Sequence, residues 1–164
     1  MKNISDLSPP AALILATLAA AAALATAYIA QYVYGHAPCE LCYWQRGPLW
    51  AVVVAGPVLL LGGRRWASAA LLIVAVLFLI EAGIALFHIG VEQFWWAGTE
   101  ACTAKPAAGT DAASLREQLL GTPVATCDKI GWTFLGLSMA TWNLPFSLLL
   151  ATFMIIALVR YARR

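Results

Sequence analysis

The chain has 164 residues, of which 62% are hydrophobic and 11% charged, and its formal net charge is +2. A composition this apolar, gathered in long blocks, excludes a water-soluble domain and indicates an integral membrane protein. The small positive charge comes from arginines near the chain ends and at one tight connection, and there is no basic patch of the kind that binds nucleic acid.

Four blocks, at about 10–33, 41–63, 66–89 and 141–159, each approach the roughly 20 residues that cross about 30 Å of hydrocarbon. They predict an all-α fold, a bundle of four transmembrane helices forming one integral membrane domain over 1–164. The first block begins after Lys2 and contains Ala25-Thr26-Ala27, which has the look of a signal-peptide cleavage site. The apolar run continues through Tyr28 and Ile29, however, beyond the roughly 7 to 15 residues of a signal core, so an uncleaved first helix is expected.

A short connection, about 34–40, carries the chain into Cys39-Glu40-Leu41-Cys42, with Arg46 four residues further on. A helix starting only at Pro48 would be too short to span, so the second helix is expected to start near Leu41 and to tolerate Pro48 and Pro57 as kinks. Cys42 then lies in the first turn, at the positive end of the helix dipole, and Arg46 projects from the same face. Both effects favour a thiolate and make Cys42 the candidate electron donor. The two-residue spacer permits Cys39 and Cys42 to close a readily exchanged disulfide.

A tight connection, Gly62 to Arg65, leads to the third block, where Glu81 is an intramembrane carboxylate and His88 and Glu92 are spaced to pair. His88 is expected near the depth of Arg46, where it would bind or protonate a carrier. The long segment at about 90–140 follows, and it holds the other two cysteines, Cys102 and Cys127. Within it, Ala112, Leu115, Leu119 and Leu120 predict one face of a short amphipathic helix lying on the membrane surface. If Cys102 and Cys127 are joined, an incoming protein thiolate could attack either sulfur. Trp44, Trp50, Trp95, Trp96, Trp132 and Trp142 fall near the same boundary, where indoles anchor helices.

Lys2, Arg64, Arg65, Arg160, Arg163 and Arg164 lie on one side of this layout, and Arg46, Lys105, Arg116 and Lys129 on the other. The positive-inside rule then places both termini in the cytoplasm and all four cysteines outside, in the oxidising compartment of a bacterial inner membrane. No metal is expected: Tyr43 stands where haem attachment needs a histidine, and Cys102 and Cys127 are too far apart in sequence to add a second zinc-type pair. A b-type haem would have to use His36 and His88. A further alternative is a non-catalytic, disulfide-stapled membrane scaffold or assembly protein, which needs neither Arg46 nor an activated Cys42.

Cys39-Glu40-Leu41-Cys42-Tyr43-Trp44-Gln45-Arg46, the two loop cysteines, and Cys127 leading into Trp132-Thr133-Phe134-Leu135-Gly136-Leu137-Ser138-Met139 together resemble the DsbB family of disulfide-forming quinone reductases. The likeness runs over nearly the whole chain. It implies a thiol:disulfide oxidoreductase that reoxidises a periplasmic, thioredoxin-fold partner of DsbA type and passes the electrons to membrane ubiquinone or menaquinone. A relay of DsbA, DsbB and quinone is what keeps the bacterial periplasm oxidising. The resemblance implies that the partner thiolate attacks Cys102 and frees Cys127, which engages Cys39 and leaves Cys42 as a thiolate beside the quinone. Arg46 matches the family's quinone-site arginine, and His88 approximately matches a histidine that some members carry. Gln45 stands where the enterobacterial form has an acid.

Overall fold

The computed structural model describes residues 8–100, 102 and 125–163. The amphipathic helix expected over 111–120 lies outside the described residues. Four long helices are present: α1 (Pro9–Tyr32), α2 (Glu40–Leu61), α3 (Gly63–Glu92) and α4 (Met139–Ala162). All four are long and apolar enough to cross a membrane, which gives the four-helix membrane bundle expected from the sequence.

α1 opens on Pro9 and Pro10, where a missing N–H costs nothing because first-turn amides have no partner within the helix. Ala12, Ala16 and Ala20 recur every fourth residue and are fully buried. Such a stripe of small side chains lets neighbouring backbones approach closely, which matters where lipid offers no hydrophobic drive for helices to associate. The stripe belongs to a core with Val52 of α2, Leu71, Val74 and Phe78 of α3, and Met154 of α4. α3 occupies the middle and packs on each of the other three helices.

The connection between α2 and α3 is tighter than the sequence suggested. Gly62 alone separates the two helices, and Arg64 and Arg65 already lie in the first turn of α3 instead of in a loop. Gly63 takes φ 62°, a left-handed conformation open to glycine at little cost, and this lets the chain reverse at once. α3 therefore runs for 30 residues, from Gly63 to Glu92, three residues past each expected end.

Before α4 the chain makes a small antiparallel hairpin, β1 (Thr133–Phe134) and β2 (Leu137–Ser138), with Thr133 opposite Ser138 and Phe134 opposite Leu137. Its two-residue turn has Leu135 at φ 52° and Gly136 at φ 80°, the pair of positive angles that matches the twist of adjoining strands. Ser138 then caps α4 by accepting a hydrogen bond from the Thr141 amide at 3.2 Å. The hairpin thus ends where α4 begins, and the Trp142 indole of α4 donates back to the Phe134 carbonyl at 2.9 Å.

Deep in the bundle, Glu81 of α3 is fully buried and accepts a hydrogen bond from the Ser147 hydroxyl of α4. Glu81 Oε1 has no hydrogen-bond partner among the described residues. Removing one member of such a pair is worse than removing both. Ser147→Ala should therefore destabilise the bundle by about 1–3 kcal/mol, and Glu81→Leu combined with Ser147→Ala should recover most of that loss. Reversible unfolding in mixed micelles provides the comparison, and a double variant weaker than Ser147→Ala would contradict it.

Candidate functional site: a two-pair cysteine centre

Cys39 is the N-cap residue of α2, extended at φ −77° and ψ 173°, and its sulfur accepts a hydrogen bond from the Cys42 amide at 3.3 Å. A helix start at this point leaves its first amides without intrahelical acceptors, and a cap sulfur is a natural partner for one of them. The same turn brings the two sulfurs together: Cys39 and Cys42 are free thiols with Sγ atoms 2.7 Å apart. The C-x-x-C spacing and the helix start near Leu41 therefore have the geometry the sequence called for.

Cys102 and Cys127 are joined in a disulfide, with Cα atoms 4.9 Å apart. The Cys127 amide also donates to the Cys102 carbonyl at 3.2 Å, and the Cys102 amide to the Thr99 carbonyl at 2.9 Å. Thr99 ties this bond to α2, because its hydroxyl lies 2.9 Å from Glu40 Oε2 and 3.3 Å from Cys102 Sγ. Both cysteine pairs consequently meet in one place. Cys39, Leu41, Val91, Cys102 and Cys127 form a single buried cluster, and Cys42 and Ala125 pack against it.

Beside the cluster is a cavity of about 130 Å³. One wall consists of Ala23, Ala27 and Ala30 of α1, and the rest includes Cys39, Cys42, Gln45, Arg46, His88, Glu92, Trp132 and Asn143. Arg46 is buried, and its position is fixed from α1 and from its own helix: Nη1 donates to Gln31 Oε1 at 2.6 Å, and the guanidinium carbon lies 4.8 Å from the ring centroid of Tyr28 of α1 and 5.2 Å from that of Tyr43 of α2. A guanidinium held between aromatic faces keeps its charge and its fork of donors in a set direction.

His88 lies in the same wall, with Nε2 3.5 Å from Cys39 Sγ and 3.7 Å from Glu92 Oε1. The expected pairing of His88 with Glu92 is thus present, and Glu92 is itself held by the Ser138 hydroxyl at 2.5 Å. Cys39, Cys42 and His88 offer three donor atoms within 4.8 Å of one another. The spacing argument against a metal looked for a second pair close in sequence, and the fold instead adds a single histidine from another helix. His36, also lining the cavity, stacks on Trp132 with centroids 5.6 Å apart.

Gln31, Tyr28 and Asn143 also belong to the site but carried no motif in the sequence. Asn143 Nδ2 donates to Gln45 Oε1 at 3.4 Å, while Gln45 Nε2 and His88 Nδ1 are buried without hydrogen-bond partners among the described residues. A cavity lined by an arginine, a glutamine and a histidine as well as by alanines suits a flat ligand that is apolar on its faces and carries carbonyl acceptors at its edge.

In the reduced pair, the Cys42 sulfur alongside and burial hold the Cys39 thiol well above the ordinary thiol range. A raised pKa means a smaller thiolate fraction at any given pH, and the thiolate is the species that alkylates. Iodoacetamide at pH 8 should therefore modify Cys42 before Cys39. Peptide mapping of the singly modified protein reads this out, and label found first on Cys39 would contradict it.

The model for the family described as "Disulfide bond formation protein DsbB" matches residues 9–157. A disulfide bond formation protein B of Acidovorax sp. (strain JS42) is 32% identical over 174 aligned positions, which cover 99% of this chain and 95% of the relative. The protein of the same name from Marinobacter nauticus is 31% identical, covering 92% of each chain. An uncharacterized protein of Rickettsia prowazekii (strain Madrid E) is 26% identical over 80% of this chain and 77% of its own length. No solved structure matches. With a family model matched from the start of α1 into α4 and relatives aligned almost end to end, this multi-pass membrane protein belongs to the DsbB family of disulfide bond formation proteins.

Proposed function

We propose that the protein oxidises a periplasmic, thioredoxin-fold partner of DsbA type and passes the electrons to membrane quinone, ubiquinone or menaquinone. The observation that carries this reading is the packing of both cysteine pairs into one buried cluster beside a cavity that contains Arg46 and His88. The proposed setting is the bacterial inner membrane, with both termini cytoplasmic and all four cysteines periplasmic. Arg64 and Arg65 at the start of α3 and Arg160 at the end of α4 support that orientation.

In this reading a partner thiolate attacks Cys102 Sγ, the Cys102–Cys127 bond breaks, and Cys127 leaves as a thiolate. The second partner thiol then resolves the mixed disulfide and leaves Cys102 reduced. Cys127 attacks Cys39 of an oxidised Cys39–Cys42 pair, which releases Cys42 as a thiolate on the cavity wall. Cys102 then displaces Cys39 from Cys127, so the outer disulfide is restored and the inner pair is reduced. When bound, the quinone supplies the electron acceptor, taking up two electrons and two protons to become quinol. Arg46 would hold a carbonyl oxygen and stabilise negative charge developing on it, and Gln45 and His88, which line the same cavity, would be the further polar groups available to the ring.

The test is loss of quinone absorbance when the purified protein meets a soluble ubiquinone analogue and a reduced DsbA-like protein. Turnover that disappears in Cys102→Ser is expected. Absence of turnover with either quinone type, from protein whose Cys102–Cys127 bond is intact, would favour the disulfide-stapled scaffold instead.

A further inference from the structure

We infer that the reduced Cys39–Cys42 pair, together with His88, forms a binding site for a thiophilic d¹⁰ metal ion of the Zn²⁺ type, and that the ion arrests the protein in its reduced state. The inference goes beyond the thiol-oxidase reading and does not depend on it.

The geometry comes from two helices. Cys39 and Cys42 are supplied by the start of α2, and His88 by the last turns of α3, so the three donors are prearranged by the fold and not by a flexible loop. Ligands of a tetrahedral zinc at roughly 2.3 Å for sulfur and 2.0–2.1 Å for nitrogen stand about 3.5–3.6 Å apart for a sulfur and nitrogen pair, and about 3.7–3.8 Å for two sulfurs. The Cys39 Sγ to His88 Nε2 distance is already 3.5 Å. The two sulfurs, at 2.7 Å, need to separate by about 1 Å, a change within reach of a χ1 adjustment of Cys42, the less buried of the two.

Softness and charge agree with this choice of ion. Two thiolates and an imidazole favour zinc or cuprous ion over magnesium or calcium. A divalent ion with two thiolates and a neutral histidine forms an uncharged unit, which a largely buried site accommodates more readily than an isolated ion. A water would complete four-coordination, and Glu92 Oε1 lies 3.7 Å from His88 Nε2.

Binding involves no electron transfer. The two S–H bonds are replaced by two S–metal bonds, two protons go to solvent, and both sulfurs stay at the thiol oxidation level. Neither sulfur can then re-form the Cys39–Cys42 disulfide until the metal leaves. A chelator should therefore reverse the arrest.

Cobalt(II) provides the probe, since it gives thiolate charge-transfer and tetrahedral d–d absorption and is displaced by Zn²⁺. The full chain carrying Cys102→Ala and Cys127→Ala, purified and reduced, confines thiolate ligation to the inner pair. One cobalt per chain with thiolate bands is expected. The bands should vanish in Cys39→Ser and in Cys42→Ser, and His88→Ala should weaken Zn²⁺ binding at least about 100-fold, because loss of even an outer partner costs about 10–100-fold. If His88→Ala does not remain monodisperse and helical, His88→Gln is read in its place. In the unmodified chain, Zn²⁺ should protect both inner thiols from alkylation until chelator is added. No thiolate bands from the reduced, folded protein would overturn the site, as would affinity unchanged by either His88 variant. Neither a thiol partner nor a quinone is present in these assays, so their failure leaves the proposed oxidase activity standing.

Discussion

Cys42→Ser should abolish quinone-coupled thiol oxidation, with turnover falling at least about 1,000-fold, while one equivalent of reduced partner per chain is still oxidised in a single burst. The reason lies in the arrangement of the two pairs. The Cys102–Cys127 disulfide does not depend on Cys42 and can be reduced once by an incoming dithiol. Afterwards the electrons have nowhere to go, because the inner pair can no longer form a disulfide. A serine hydroxyl retains the size of the side chain and the helix start, so the loss reads chemistry and not folding. Rapid-mixing measurements of partner oxidation, with and without quinone, separate the burst from turnover. Sustained turnover in Cys42→Ser would remove Cys42 from the electron path.

Arg46→Ala should raise the quinone KM about 10–150-fold, the equivalent of about 1.5–3 kcal/mol for a charge-assisted hydrogen bond, and leave the partner-oxidising burst nearly unchanged. Arg46 lines the cavity with Cys42 and is braced by Gln31, Tyr28 and Tyr43, while the Cys102–Cys127 disulfide is held separately through Thr99 and Glu40. Arg46→Lys should recover only part of the loss, because an ammonium keeps the charge but not the planar fork that Gln31 and the two rings position. Equal loss in both half-reactions would contradict the placement of Arg46 at the quinone.

Much of this centre was legible in the sequence because it is local. Cys39, Cys42 and Arg46 lie within two turns, so a helix beginning near Leu41 fixes their relation, and His88 and Glu92 are one turn apart on α3. The helix spans were legible for a different reason: hydrocarbon thickness sets a length that composition alone reveals. Their ends were less so. Apolarity fades through Arg64 and Arg65 although hydrogen bonding continues, and for that reason α3 outruns its apolar core.

What the sequence left hidden depends on contacts between helices. Gln31 and Tyr28 reach Arg46 from α1, and Asn143 reaches Gln45 from α4, and nothing in their own neighbourhoods marks them. The meeting of Cys39 with the Cys102–Cys127 bond likewise comes from Thr99 bridging to Glu40 across the chain. The hairpin at Thr133–Ser138 had a local signal in the Leu135-Gly136 turn, but only two residues on each side pair, too few to produce a strand pattern. The approach of His88 to the thiols, on which the metal site rests, was likewise invisible to an argument built on cysteine spacing.

The central claim is that quinone occupies the cavity between Arg46, His88 and the inner thiols, and labelling with a photoactivatable quinone analogue in detergent or nanodiscs tests it most directly. Peptide mapping should place the label on the Cys39–Arg46 segment, on the end of α3 near His88, or on the alanine wall of α1. Excess unlabelled quinone should compete it away, and Arg46→Ala should reduce it. Label confined to the lipid-facing sides of the helices, unaffected by competitor and by Arg46→Ala, would contradict the assignment.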